Sequence, residues 1–266
     1  MPAVNPTRLR FQIEGLLSFF EEPEEFHSRL RDFFHISANH TLRFGEFSPT
    51  KPLIPMYHLP DPVIRQLQFD IVPRIKSNPP AALALADELW QDNYFEIAQL
   101  AIFILGHTPI EDPQTISQRL EQWLTPGMDQ TLSSYLFSEG TIGLQSKYPE
   151  EWESFIQKYL QQDDPKLINF GLLGLTEGLK TSSFGNLPAI FRLISPFLRE
   201  LKPETIRAME NLLNILAQTS PHETVFFLKQ ALSLANDLPL TKRLVKAIVP
   251  SFPPTLQDDL KSALNK

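Results

Sequence analysis

The chain has 266 residues, 42% hydrophobic and 21% charged, which suits a globular fold with a sizeable core. It contains no cysteine, so disulfides, Cys metal ligands and Cys nucleophiles are excluded. Its net charge of -7 weighs against avid nonspecific nucleic-acid binding, which needs clustered Lys and Arg.

Taken from the N-terminus, helices are expected near 7–20 and 23–36. Arg8, Arg10 and Glu14 interrupt the first apolar stretch, and no run reaches the roughly 18 apolar residues that span a bilayer. A soluble, cytoplasmic protein is the expectation. Residues 37–60 are too rich in Pro and turn formers for a helix. A loop of that length is usually functional or mobile. It could equally pack in extended form over the first repeat, covering Phe44, Phe47 and Tyr57.

Beyond residue 60 the chain is punctuated by proline. Pro occurs 24 times and Gly only 10. Asp61–Pro62, Asp112–Pro113 and Asp164–Pro165 read as a capping carboxylate followed by a first-turn proline, whose missing N–H has no intrahelical partner to lose. Ser220 and Glu223 read as a capping box. Helices opening at Pro80, Pro113, Pro149, Pro188, Pro221 and Pro254 recur at intervals of 33, 36, 39, 33 and 33 residues. More apolar partner helices are expected at 93–106, about 129–146, 165–180, 203–219 and 239–250.

This spacing predicts an all-α fold, a right-handed α-α superhelix of the HEAT/armadillo-like solenoid kind with about six antiparallel helix pairs. Residues 61–266 form the repeat domain, and residues 1–60 are N-terminal helices and an irregular loop that cap it.

The sequence holds no dinucleotide-binding or Walker glycine motif, no GxSxG elbow and no HExxH. Gly171, Gly174 and Gly178 fall within one apolar helix and read as packing positions. His27, His35 and His40 are grouped, but His27 and His35 are eight apart, which favours structural or solvated histidines over ligands. His58 and His222 are isolated. Neither metal nor cofactor is expected. Trp123 and Trp152 read as core or rim packing, with base stacking as the alternative.

The stretch "WQDNYFEIAQLAIFILG", Trp90 to Gly106, reads as the turn of a helical hairpin and its apolar second helix. Trp90 ends the first helix, Asp92 or Asn93 makes the turn, and Gly106 is the C-terminal stop. Glu96 is expected to be a structural first-turn carboxylate that ties the hairpin together.

The pattern Leu89, Trp90, Glu96 and Ala98 or Ala101 resembles the DNA alkylation repair glycosylases of the AlkC/AlkD type, over about residues 60–235. The resemblance implies a helical-repeat solenoid that holds the DNA backbone on a concave basic face. It also implies excision of N3- or N7-alkylated purines without deep flipping of the base. That activity is attributed to a WDxxD motif at a helix start and a Trp from a later repeat. An indole offers a cation–π contact to the cationic base, and a carboxylate stabilises oxocarbenium charge.

The matching stretch is "PGMDQTL", where Asp129 is the candidate first acid, while Met128 and Leu132 replace the Trp and the second Asp. No Trp follows Trp152. Little or no excision of N7-methylguanine is therefore expected.

The expected function is DNA binding on a concave face, with Arg192, Arg199, Lys202, Arg207, Lys242, Arg243 and Lys246 as the candidate contacts. The alternative is a non-enzymatic solenoid scaffold for a protein or peptide partner. A small-molecule site formed by residues 37–60 would be a third option, but it has no catalytic set.

Overall fold

The computed structural model describes residues 6–38, 54–181, 187–235 and 238–265. His40, Phe44 and Phe47 lie outside them. The described residues form helices and no strands, as expected for an all-α chain. None of these helices is long and apolar enough to cross a membrane.

The chain divides into two compact units, Met1–Tyr148 and Pro149–Lys266. In the first unit, α1 (Pro6–Leu17), α3 (Asp61–Ser77) and α5 (Phe95–His107) succeed one another in one row. Helices α2 (Pro23–Ser37) and α4 (Pro79–Leu89) form a second row, to which α6 (Pro113–Trp123) is tied. The tie consists of Arg119 on Asp87 and the stacked indoles of Trp90 and Trp123, 4.4 Å apart and within 7° of parallel. The chain then continues through α7 (Gln130–Tyr135), a π turn (Leu136–Gly140) and α8 (Ile142–Lys147), all packed on α5.

In the second unit α9 (Pro149–Leu160) pairs with α10 (Pro165–Lys180). Helices α11 (Leu187–Arg199), α13 (Pro221–Leu234) and α15 (Pro254–Leu264) follow in one row. Beside them α10, α12 (Ile206–Thr219) and α14 (Leu238–Ile248) form the other. A β-carbon on Gly171 would lie 2.8 Å from Leu160 Cδ2, so this glycine sets how closely α9 and α10 approach.

The proline punctuation predicts the helix starts well. Pro80 and Pro188 stand second in their helices, and Pro113, Pro149, Pro221 and Pro254 stand first. Asp112 accepts from the Gln114 N–H at 3.0 Å and Asp164 from the Lys166 N–H at 2.9 Å. Two caps depart from expectation. Asp61 is itself the first helical residue, with Pro60 as the cap and no side-chain capping bond. The extended φ and ψ of Pro60 let the helix start one residue early, and the Val63 N–H bonds its carbonyl. Ser220 makes no side-chain capping bond either, so the capping box does not form. Its carbonyl instead accepts from the Thr224 hydroxyl at 2.7 Å.

The hairpin between α4 and α5 forms as expected at Trp90, the C-cap of α4, and Asp92 Oδ1 accepts from the Tyr94 N–H at 2.8 Å. Glu96 is buried, at 4% exposure, but does not bind its own hairpin. Its two oxygens accept from the backbone N–H groups of Tyr57, at 3.0 Å, and His58, at 2.7 Å. Sequence alone does not reveal that partner, because the segment lies far upstream, before α3. His58 has φ of 56°, in the left-handed region that costs an L residue about 1 kcal/mol. The bond to Glu96 holds it there, and the Phe95 N–H adds a bond to Pro55 O at 2.9 Å.

Glu96→Ala removes two charge-assisted bonds and leaves two backbone donors without this acceptor. We expect a loss of about 3 kcal/mol in denaturant unfolding. Glu96→Gln, which keeps one acceptor oxygen, should lose less.

Candidate functional site

Helix α5 is buried along nearly its whole length, from Phe95 to Gly106, with Gln99 as the main exception. Gly106 is not its stop, as the sequence suggested: the helix runs on to His107 and ends at an extended Thr108. The glycine is needed for a different reason. A β-carbon on Gly106 would overlap the carbonyl oxygen of Glu139, so the π turn lies directly against the α5 backbone at this point. Gly140 packs less tightly on Ile102, whose Cγ2 would be 3.1 Å from a β-carbon there.

The π turn interrupts what the sequence presents as one continuous helix over 129–146. The Phe137 carbonyl accepts from the Thr141 hydroxyl at 2.6 Å and from Gln145 Nε2 at 2.9 Å. Gln145 Nε2 also lies 2.6 Å from Thr141 Oγ1. These groups are buried, and side chains take over part of the backbone bonding that a π turn disrupts.

The turn displays Glu139 one helical turn beyond Tyr135. Glu139 Oε1 is 3.5 Å from His107 Nδ1, and both side chains are partly exposed. His107 Nδ1 is also 3.0 Å from the Phe103 carbonyl, which can only accept, so this nitrogen carries a proton. The imidazole stacks on Phe103 with ring centroids 4.0 Å apart. Gln68 Nε2 of α3 reaches the Tyr135 hydroxyl at 3.5 Å. Burial raises the Tyr135 phenol to about 12, and the nearby Glu139 carboxylate adds to the rise, against hydrogen bonds from Gln68 and Gln99. The ring therefore stays neutral at physiological pH.

An aromatic residue followed four positions later by an acid has the spacing of the first and last residues of WDxxD. The match at "PGMDQTL" passes over "YLFSE", residues 135–139. The signal is present as that spacing, but Tyr and Glu stand where the motif has Trp and Asp.

The other candidates are dispersed. Asp129 caps α7, accepting from the Thr131 N–H at 2.9 Å and the Leu132 N–H at 3.1 Å. Trp123 and Trp152 are 3% and 1% exposed, too buried to stack on a base. Lys242, Arg243 and Lys246 come together on one face of α14, where with Leu238 and Pro239 they line a shallow depression. Arg207 is exposed on the neighbouring α12. Arg192 and Arg199 are on α11, where Arg192 reaches Glu153 at 3.3 Å, and Lys202 lies in the connection after α11.

His27, expected to be structural, bridges Glu88 at 2.8 Å and Asp92 at 2.7 Å, with Arg31 3.4 Å from Asp92. No group of three or more His, Cys, Asp or Glu suited to a metal occurs among the described residues.

The Tyr135 environment predicts an alkaline titration. Its folded value lies above the ordinary value near 10, so the stabilisation is complete below pH 10 and is lost as pH rises through about 12. Tyrosinate absorbance, wild type minus Tyr135→Phe, should show a midpoint near 12. A midpoint near 10 in the folded protein would place the hydroxyl in water.

No curated protein and no solved structure gives a significant match to the chain. The family model described as DNA alkylation repair enzyme matches residues 43–243, a span that includes the α4–α5 hairpin and the π turn and ends within α14, after Lys242 and Arg243 and before Lys246. The chain belongs to the DNA alkylation repair enzyme family.

Proposed function

We propose that the protein binds duplex DNA and acts on alkylated purines, with Tyr135 and Glu139 as the pair that meets the lesion. The observation that carries this reading is the partly exposed carboxylate of Glu139 one helical turn from a neutral aromatic ring, on a π turn wedged against α5. Alkylation at N3 or N7 makes the purine cationic. The Tyr135 ring then offers a cation–π contact of about 0.5–2 kcal/mol. As the C1′–N9 bond breaks, its electron pair returns to the purine and cancels the positive charge. Glu139 stabilises the cationic sugar and orients water, which bonds to C1′ and releases a proton to the carboxylate or to solvent.

Lys242, Arg243 and Lys246 supply phosphate contacts in the second unit, with Arg207 and the more scattered Arg192, Arg199 and Lys202 as further contacts. A right-handed HEAT-like solenoid with a concave DNA face is part of the same proposal, and so is a cytoplasmic location. Asp129 keeps the role of a helix cap. Negligible excision, the expectation that rests on Met128 and Leu132, is the outcome that would end this role for the Tyr135–Glu139 pair.

The scaffold reading finds one supporting feature, an acidic depression lined by Glu22, Glu24, Glu25, Asp87 and Glu88 in the first unit, suited to a basic peptide. Three of those carboxylates already pair with Arg29, Arg119 and His27. DNA therefore stands first.

Glu139→Gln should lower release of N7-methylguanine from methylated duplex on the order of 100-fold and leave duplex affinity unchanged. Replacing Lys242, Arg243 and Lys246 by Ala should reduce the slope of log affinity against log salt by roughly one per charge. Affinity that stays immeasurable at low salt would end the DNA reading.

A further inference from the structure

We propose that Gln145 and Thr141 are positioning residues for Glu139, clamping through their side chains the π turn that rests on Gly106. The inference rests on the reading of Glu139 as the carboxylate that meets the lesion.

A π turn is displaced from regular helix by one residue, and nothing in its own backbone selects the place where that displacement sits. In this chain two features select it, and a third fixes the helix that follows. Gly106 removes the β-carbon that would collide with the Glu139 carbonyl. Thr141 and Gln145 converge on the single carbonyl of Phe137, two residues before Glu139. The Gln145 N–H bonds the Thr141 carbonyl at 2.8 Å, starting α8 in a fixed register to the turn.

Thr141 and Gln145 are fully or almost fully buried and sit four residues apart, so both side chains lie on one side of α8's first turn. Neither belongs to the partly exposed Tyr135–Glu139–His107 face. Their hydrogen bonds are directed inward, to the Phe137 carbonyl. Without the clamp, the segment can return to regular helix, which rotates Glu139 by about 100° away from His107 and Tyr135.

The consequence is readable in Tyr135, because the Glu139 carboxylate adds to the rise that burial gives its phenol. Gln145→Leu keeps the side-chain bulk and removes the donor. In a variant with an unchanged far-UV circular dichroism spectrum, the Tyr135 midpoint should fall below about 12, while burial still holds it above the ordinary value. The same substitution in a Glu139→Gln background should lower it no further, because the moved charge is already gone. Release of N7-methylguanine by Gln145→Leu should fall alongside that of Glu139→Gln.

An unchanged midpoint in folded Gln145→Leu overturns the clamp. So does an equal fall in the Glu139→Gln background, which would mean general loosening. Should Gln145→Leu fail to fold, Thr141→Val removes one donor at constant shape and is read by the same two comparisons. Glu139→Gln that releases base as fast as wild type would defeat the functional reading instead, and the clamp would still be decided by the Tyr135 midpoint.

Discussion

The close approach of the Glu139 carbonyl to the backbone of α5 at Gly106 is the constraint on which the candidate site depends. Two helical segments can come this near only where one of them has no side chain. The contact fixes the depth of the π turn, and depth decides which side chains meet: Glu139 beside His107, and Tyr135 beside Gln68 and Gln99. Helix α5 can serve as the anvil because it is apolar on almost every face.

Carboxylates in the first unit divide into two kinds by their partners. Glu96 and Asp92 serve structure, one by binding the backbone of a distant segment and one by binding its own turn, with His27 and Arg31 adding charge to the latter. Glu139 keeps contact with solvent, and its ion-pair partner among the described residues, His107, stands 3.5 Å away. A carboxylate that already accepts two backbone N–H groups has little left to offer a reacting sugar, whereas a partly exposed one beside a neutral aromatic does.

Net charge is a poor guide to partners in this chain. The -7 total is an average over surfaces with different local fields. Acids gather around α2 and α4, largely matched by nearby cations, while Lys242, Arg243 and Lys246 share one face of α14. Phosphate binding responds to such local clusters rather than to the sum.

The helices, their starts at proline and the α4–α5 hairpin were legible in the sequence, because they follow from local rules: fixed φ at proline, capping by Asp112 and Asp164, and a 3.6-residue apolar period. Local signals misled where they had a distant competitor. Ser220 looks like a cap but is bypassed by Thr224, Glu96 serves Tyr57 and His58 rather than its own hairpin, and Gly106 admits a π turn rather than ending a helix. The family, too, was legible, because the hairpin carrying Trp90 and Glu96 is contiguous. The placement of Tyr135 and Glu139 was decided only by the tertiary structure. A π turn has no local sequence code, and its position is set by a glycine on an earlier helix and by two buried side chains downstream.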